Sequence, residues 1–335
     1  MSDSRTTVTE IATALGILNT PKSGISNKNL PPIVGVDQTA WDPTVQAAKG
    51  GLHHELFERA YENGLHFFSA EDALRSRIPK IVQWKGPHKN VGDEATPADL
   101  RIDHVYLVSC KYNSDVLLNS SPSNLFDRLL AGVQGRRSSL NWYHESAPDE
   151  YQNYYETAVS LIGGTDFPDS VLDLEKPHRE ALKVVASLKT SPELDLAWRL
   201  FHERVSDVSA QKWEAQMKAQ APGGARMLWR LLRIGSAPYF VLGEAKDGPK
   251  RIRVTTPWDW NQRYELKSFH ISPGSSGQPT VIWKATFDDR MTQIHGTVSG
   301  HVEIRWSHGK FGGAPEAKVY LDSPAQSVPG YFNLV

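Results

Sequence analysis

Alternating hydrophobic and polar residues predict a tight β-hairpin between positions 97 and 112. The first strand carries Leu-Arg-Ile at 100–102, and the second carries Val-Tyr-Leu-Val at 105–108. Between them, Asp103-His104 is the expected two-residue turn. This predicted hairpin also carries side chains that can bind a metal or take part in catalysis, namely Asp99, Ser109 and Lys111.

A two-residue turn sets which residues of the hairpin face each other. Ile102 faces Val105, and Asp99 lies opposite Val108 and beside Ser109. The sequence therefore predicts an acidic residue at the start of one strand, close to the end of its partner.

The second strand ends in Ser109-Cys110-Lys111. Because side chains alternate along a strand, Ser109 and Lys111 share one face, while Cys110 points to the other. A carboxylate beside such a Ser-x-Lys is a candidate site for a divalent metal ion.

Helices are predicted on the amino-terminal side of the hairpin. A short helix covers residues 8–18, and a loop or linker follows it. A second helix covers residues 42–63, with Asp42 as its N-cap and Gly64 as its stop. Glu55 lies at the edge of the apolar stripe of this second helix.

After the hairpin, the pattern changes from helices to strands. Ser121-Pro122 is a helix start, and residues 140–220 are mostly helical. From Ala237 onward, strands alternate with turns and no helix intervenes, which predicts an antiparallel sheet or barrel. The chain is therefore expected to be α+β or α/β.

Composition agrees with a folded protein of more than one domain. The chain has 335 residues, of which 39% are hydrophobic and 22% charged, which excludes wholesale disorder. Its single cysteine excludes an intramolecular disulfide and a Cys-rich zinc site. No hydrophobic run is long enough for a membrane span, so a cytoplasmic protein is expected.

Charge is distributed unevenly along the chain. The formal net charge is −1, yet residues 225–335 hold 14 basic against 9 acidic residues. A basic half beside an acidic half suits a module that binds a polyanion joined to one that binds a metal. The expected organisation is an N-terminal helix and linker (1–40), a domain with a helical extension (41–222) and a mainly β, basic nucleic-acid-recognition domain (223–335).

The hairpin resembles the PD-(D/E)XK nuclease superfamily, the fold of many restriction endonucleases. In that family an Asp begins one strand and a Glu-x-Lys lies on its hairpin partner. Here Asp99 matches the Asp, and Lys111 matches the Lys. Ser109 stands where Glu is usual, which is a departure. Ser-x-Lys versions occur among restriction enzymes, with another carboxylate serving the metal.

This resemblance implies a restriction-endonuclease-like mixed sheet flanked by helices, followed by the mainly β domain. It implies a Mg²⁺-dependent DNA endonuclease, type II-like and active in anti-phage defence, with Mn²⁺ as a possible substitute for Mg²⁺. Asp99 would bind the metal, and Glu55 would replace the missing strand Glu. Lys111 would position or help deprotonate the attacking water, and the hydroxyl of Ser109 would hydrogen-bond water at the metal.

The partner implied is double-stranded DNA, with no membrane and with a homodimer as the possible oligomer. Basic and polar residues in the loops around the hairpin and on a strand–loop segment of the C-terminal half are the candidate DNA contacts: Lys85, His88, Lys89, Asn113, Ser114, Arg305, His308 and Lys310.

Several alternatives remain open. Asp93 is the rival of Asp99 for the metal, and Glu244-Ala-Lys246 is a second Glu-x-Lys. In a third interpretation, the hairpin is an ordinary part of the core, and its Asp and Lys side chains are solvated and have no function. In functional terms, the alternatives are a non-catalytic nucleic-acid-binding protein and a partner-activated nuclease that acts on RNA or single strands.

Overall fold

The computed structural model describes residues 4–86, 97–112, 116–130, 141–163, 166–188, 191–219, 222–245, 248–275 and 277–335. Over these ranges the protein is a mixture of helices and sheets, as the sequence predicts. The α-helices are α1 (Ser4–Ile17), α2 (Gln38–Ala48), α3 (His54–Ser69), α4 (Pro122–Phe126), α5 (Trp142–Ser146), α6 (Pro148–Ile162), α7 (Lys176–Leu188), α8 (Pro192–Ala219), α9 (Gly223–Leu231) and α10 (Pro257–Arg263).

The strands form two separate sheets. They are β1 (Val82–Trp84), β2 (Leu100–Ile102), β3 (Tyr106–Lys111), β4 (Val116–Ser120), β5 (Tyr239–Ala245), β6 (Gly248–Val254), β7 (Tyr264–Ser275), β8 (Pro279–Asp289), β9 (Ile294–Trp306), β10 (Pro315–Leu321) and β11 (Tyr331–Asn333). The first sheet has the order β1-β2-β3-β5-β6-β11 and the second β4-β10-β9-β8-β7. The first is mixed, because β3 and β5 run parallel, whereas all described pairs of the second are antiparallel.

The chain divides into two compact units, each made of separate segments. The first unit comprises Met1–Asp115, Arg233–Arg263 and Ala325–Val335, and the second comprises Val116–Leu232 and Tyr264–Pro324. The division therefore differs from the predicted boundaries after positions 40 and 222. Strand patterns in the C-terminal half indicate strands but not their partners, and β5 and β6 pair with the hairpin sheet rather than with β7–β10.

Helix α1 belongs to the core of the first unit and is not part of a linker. Every residue from Thr7 to Ile17 is buried. The helix packs against α2, α3 and the sheet, with Val8, Ile11 and Leu15 in the same apolar cluster as strands β1–β3 and β5.

The helix predicted over residues 42–63 is two helices. Asp37, not Asp42, caps α2, and its side chain accepts the N–H of Ala40 at 2.9 Å. The chain then breaks at Gly50, whose φ is +90°, before α3 begins. A left-handed residue of this kind ends a helix, and glycine adopts that conformation without steric cost.

Gly64 lies inside α3 rather than ending it. A Cβ on Gly64 would lie 2.1 Å from the carbonyl oxygen of Thr13, and one on Gly16 would lie 2.1 Å from that of Tyr61. The two glycines therefore allow α1 and α3 to cross with their backbones in contact.

The second unit builds its core from aromatic rings between the helices and one face of the antiparallel sheet. Alternation along β9 buries Val302, Ile304 and Trp306, as the sequence predicts. Trp306 meets Tyr143 of α5 with ring centroids 4.6 Å apart. The aromatic stripe of α6 is core as well, because Tyr151 and its neighbours Tyr154 and Tyr155 are buried.

Among the described residues, no helix is both long enough and apolar enough to cross a membrane.

Candidate active site

The predicted hairpin is β2–β3, but its loop has three residues rather than two. Asp103 and His104 both have positive φ, at +50° and +58°, and Val105 is 73% exposed. Ile102 therefore pairs with Tyr106, and the predicted pairing with Val105 is wrong by one residue. The sequence assigns Val105 to the strand because it is hydrophobic. In the structure it belongs to the loop, and its side chain is exposed to solvent.

Asp103 explains why the loop takes this form. Its carboxylate accepts the backbone N–H groups of Lys80 and Ile81 at 2.7 and 3.1 Å, and it pairs with Arg77 at 2.6 Å. These hydrogen bonds and the Arg77 ion pair lower the pKa of Asp103, although burial opposes them. The hairpin loop is thereby fixed to the segment that precedes β1.

Asp99 lies at the open end of the hairpin, beside Ser109. Its Oδ2 accepts the backbone N–H of Cys110 at 2.6 Å and the hydroxyl of Ser109 at 3.3 Å. Strand β2 begins only at Leu100, so the carboxylate supplies the acceptor that a longer strand would have given to Cys110. The structure therefore brings Asp99 and Ser109 together, as predicted.

The register of the sheet defines the face on which these side chains lie. Leu100 pairs with Val108, and Val108 with Phe240, and all three belong to the core cluster on the helix side. By alternation, Ser109 and Lys111 lie on the opposite face, toward which Asp99 also turns.

Lys111 ends β3 two residues after Ser109. It is half-buried, and its strand neighbour is Gly243 of β5. A Cβ on Gly243 would lie 1.9 Å from the carbonyl oxygen of Lys111, so the two strands approach closely here. Within the described part of the chain, the Lys111 ammonium has no hydrogen bond or ion pair.

Neither Ser109 nor Cys110 has the surroundings of a nucleophile. Ser109 is 1% exposed and donates its hydroxyl proton to Asp99, so it is held as a donor. Burial of the Cys110 thiol raises its pKa well above the usual value, and the negative charges of Asp99 and Glu10 raise it further. The thiol therefore stays protonated at neutral pH.

Glu55 does not join this group. It is at the start of α3, its side chain is 84% exposed, and it pairs with Arg59 at 3.2 Å. Arg59 in turn pairs with Glu244 at 2.7 Å. Glu244 shares the helix-side face with Leu242, so this ion-pair cluster lies across the sheet from Ser109. The predicted role of Glu55 as second metal ligand therefore has no support in the geometry, because sequence periodicity does not report which face of a sheet a helix covers.

The structure describes only some of the alternative site residues. Glu244, of the second Glu-x-Lys, is held by Arg59, while Lys246 lies outside the described residues, as does Asp93. Four predicted DNA contacts also lie outside them: His88, Lys89, Asn113 and Ser114.

Lys85 continues the pairing of β1 with β2. Its backbone N–H donates to the carbonyl of Asp99 at 3.0 Å, one step beyond the pair Trp84–Leu100. Because Trp84 faces the core, Lys85 turns to the face that carries Ser109. This predicted DNA contact therefore lies on the strand next to Asp99.

Arg305, the predicted DNA-reading residue on β9, belongs to the second unit. On the exposed face of that sheet, its guanidinium lies 3.7 Å from Glu303 and 3.7 Å from Glu316. Lys318 also pairs with Glu316, at 2.9 Å. Acidic and basic side chains alternate here, so the strand does not present the basic surface that was expected of it.

Lys310 is directed inward. Its ammonium lies 4.2 Å from the ring centroid of Trp198 and 5.5 Å from that of Tyr154, which is cation–π geometry. Burial lowers the pKa of Lys310. His308 is exposed in the same loop. Lys310 therefore stabilises the aromatic core of its unit instead of projecting toward a ligand.

The residues present fit a metal ion in part. Asp99 Oδ2 is occupied by two donors, while its Oδ1 accepts no hydrogen bond from a described residue. Within the described ranges no three His, Cys, Asp or Glu side chains form a metal-binding group. Mg²⁺ is commonly bound through one or two carboxylates, with water and phosphate oxygens completing its shell. Asp99 thus fits as one such ligand.

Comparison with known proteins assigns no family to this arrangement. No protein-family model, curated protein or solved structure matches the chain.

Proposed function

We propose that this protein is a Mg²⁺-dependent endonuclease that hydrolyses phosphodiester bonds of double-stranded DNA. The observation that carries the proposal is the end of the hairpin, where Asp99 lies beside Ser109 and the Lys111 ammonium lacks a described partner. The PD-(D/E)XK family, which the sequence resembles, likewise has an acidic residue and a lysine on one sheet face and on neighbouring strands.

In this proposal Asp99 and Lys111 have separate roles. Asp99 would hold the ion through its carboxylate. When bound, Mg²⁺ would neutralise negative charge on the phosphate and lower the pKa of water. Lys111 orients the attacking water and stabilises the charge that develops on phosphate oxygens. Ser109 keeps the Asp99 carboxylate in place.

The hydrolysis itself is a simple exchange of bonds. The oxygen of water forms a bond to phosphorus, and the bond from phosphorus to the leaving deoxyribose oxygen breaks. One proton of the water passes to solvent, and the leaving oxygen takes one from solvent. Because Lys111 is the basic residue of strand β3 and shares the sheet face of Asp99, it is the residue we assign to the positioning of this water.

Plasmid cleavage tests the proposal. The full-length protein is incubated with supercoiled DNA and Mg²⁺, with and without EDTA, beside the variants Asp99→Asn and Lys111→Met. Asp72→Asn, which changes an exposed aspartate of the same unit, is the matched control. Cleavage that needs Mg²⁺, Asp99 and Lys111 but not Asp72 is expected. Absence of cleavage in all conditions, or equal cleavage by Asp99→Asn, would contradict the proposal.

The same assay separates the alternative functions. Discrete fragments indicate a type II-like restriction activity, whereas a smear indicates nonspecific cleavage. Cleavage of RNA or single-stranded DNA in place of duplex would indicate the effector alternative. DNA binding without any hydrolysis would indicate a non-catalytic nucleic-acid-binding protein.

A further inference from the structure

The sheet face that carries Asp99 also carries a row of lysines drawn from distant parts of the sequence. Lys85 continues the pairing with Asp99, and Lys111 follows Ser109 on β3. Across β5, Gly243 pairs with Lys250 of β6. Register and alternation therefore place Lys85, Lys111 and Lys250 on the face of Asp99. Lys85 is level with Asp99 and Ser109, and Lys111 and Lys250 are level with each other two residues farther along β3, so the row crosses the sheet obliquely.

The row spans most of the width of the first sheet. Lys85 and Lys250 are four strand spacings apart, which corresponds to about 19 Å at the usual separation between strands. All three lysines are half-buried. The residue between Lys111 and Lys250 is Gly243, which has no side chain to interrupt the surface.

The charge of the chain is concentrated in the same region. The segment 233–263, which contains β5 and β6, has six basic and three acidic residues, out of the 14 and nine of the C-terminal stretch. This segment belongs to the first unit. More than half of the basic excess thus belongs to the first unit and not to the β9 strand to which sequence reasoning assigned it. Among the basic residues of β6, only Lys250 lies on the Asp99 face. Arg251 and Arg253 pair instead with Leu242 and Phe240 of the helix side.

We infer that Lys85, Lys111 and Lys250 form a track for one sugar–phosphate backbone of a nucleic acid, which crosses the strands of the first sheet over Asp99. This inference rests on the proposed function and names the part of the substrate that the site holds. The occupant is a polyanion with regularly spaced charges, since the positive charges are aligned in a row instead of being gathered around one point. No base-specific contact is needed for such binding.

Asp99 has a particular effect on this track. Its negative charge lies between positive ones, so it repels a phosphate that passes above it unless a divalent cation is present. Binding of DNA without metal should therefore be tighter for Asp99→Asn than for the native protein. Added Ca²⁺ should tighten binding by the native protein and have less effect on the variant.

The salt dependence of DNA affinity tests whether these lysines contact phosphates, and it requires no cleavage activity. The full-length chain and its Lys85→Gln and Lys250→Gln variants are titrated with a fluorescent DNA duplex in EDTA, at salt concentrations between about 50 and 200 mM. Each phosphate contact that is lost should lower the slope of log K against log salt by about 0.9. The double variant should lose about twice as much. Lys284→Gln, on an exposed strand position of the second unit, is the control and should leave the slope unchanged.

The outcomes separate this inference from the proposed function. If the salt slopes of Lys85→Gln and Lys250→Gln differ from the native slope but no plasmid is cleaved, the lysine track is supported and the nuclease function is rejected. Cleavage with native slopes in Lys85→Gln and Lys250→Gln would retain the nuclease and reject the track. Absence of DNA binding by the native chain, or binding of phosphatidylserine vesicles in its place through the same lysines, would also overturn the track. Urea unfolding midpoints equal to that of the native protein show that a variant is folded.

Discussion

Asp99 and Cys110 are joined across the hairpin by a 2.6 Å hydrogen bond from the Cys110 N–H to a carboxylate oxygen of Asp99. The contact gives Asp99 a structural role in addition to the catalytic one proposed for it. Mutation of Asp99 therefore changes both stability and activity, and the two effects need to be separated.

Two substitutions of Asp99 make this separation. Asp99→Ala leaves the Cys110 N–H without an acceptor, which should lower the free energy of unfolding by about 1–3 kcal/mol. Asp99→Asn keeps an amide oxygen at the same place and should cost much less. Both should abolish metal-dependent cleavage. Urea denaturation and plasmid cleavage measure the two effects, and equal stability of the two variants would remove the structural role.

Glu55→Gln should leave the cleavage rate and its metal dependence as in the native protein. The side chain is 84% exposed and pairs only with Arg59 among the residues described. An exposed pair spaced i,i+4 on a helix contributes little to stability, so the free energy of unfolding should change little. Rates are measured across a Mg²⁺ titration. A large loss that raised Mg²⁺ or Mn²⁺ restores would return Glu55 to the metal site.

Gly64→Ala should strongly destabilise the first unit. The added methyl group would lie 2.1 Å from the Thr13 carbonyl oxygen at the crossing of α1 and α3. Overpacking of a close-packed core typically costs about 1–3 kcal/mol, and backbone atoms are the least able to move away. Gly24→Ala, where a Cβ meets nothing within 4 Å, is the control. Similar thermal midpoints for the two variants would show that the crossing adapts.

Asp259 should make stability depend on pH in the acid range. Hydrogen bonds from the Thr256 hydroxyl at 2.7 Å and the Thr255 hydroxyl at 3.1 Å lower the pKa of Asp259 below its ordinary value of 3.8. A depressed pKa contributes stability above the unfolded value, and that stability is lost as pH falls through the folded pKa.

The measurement compares the native protein with Asp259→Asn. The native protein should be the more stable of the two above about pH 4, and the difference should shrink as pH falls further. Unfolding midpoints at several pH values between about 3 and 7 test this. A difference that stays constant over this range would mean that the ionisation of Asp259 contributes nothing to stability.

The sequence predicts what is local in this protein and misses what is distant. The hairpin, the Ser121 cap of α4 and the buried face of β9 follow from short patterns and are confirmed. The error of one residue at Val105 arose because a hydrophobic residue in a three-residue loop looks like part of a strand. Loop backbones with positive φ at two non-glycine residues have no strong sequence signal.

The site was predictable only as far as the hairpin extends. Asp99 and Ser109 are ten positions apart, and their contact follows from a single turn. The position of Glu55 depends on which face of the sheet α3 covers, and the position of Lys250 depends on the pairing of β3 with β5. Both positions depend on tertiary contacts between distant segments of the chain. The six basic residues of 233–263 were a usable signal, but only with knowledge of the sheet to which that segment belongs.

The parallel pairing of β3 with β5 has a consequence for how the chain is made. Residues 112–238 separate the two strands, and the stretch 116–232 within them belongs to the second unit. On the ribosome, β3 emerges long before its neighbour, so its edge remains open while the intervening chain is synthesised. An unpaired strand edge is a template for association with other chains. Completion of the second unit cannot shorten that interval, because its strands β7–β10 emerge only after β5. The partner that closes the edge of β3 therefore arrives before the second unit can finish its own sheet.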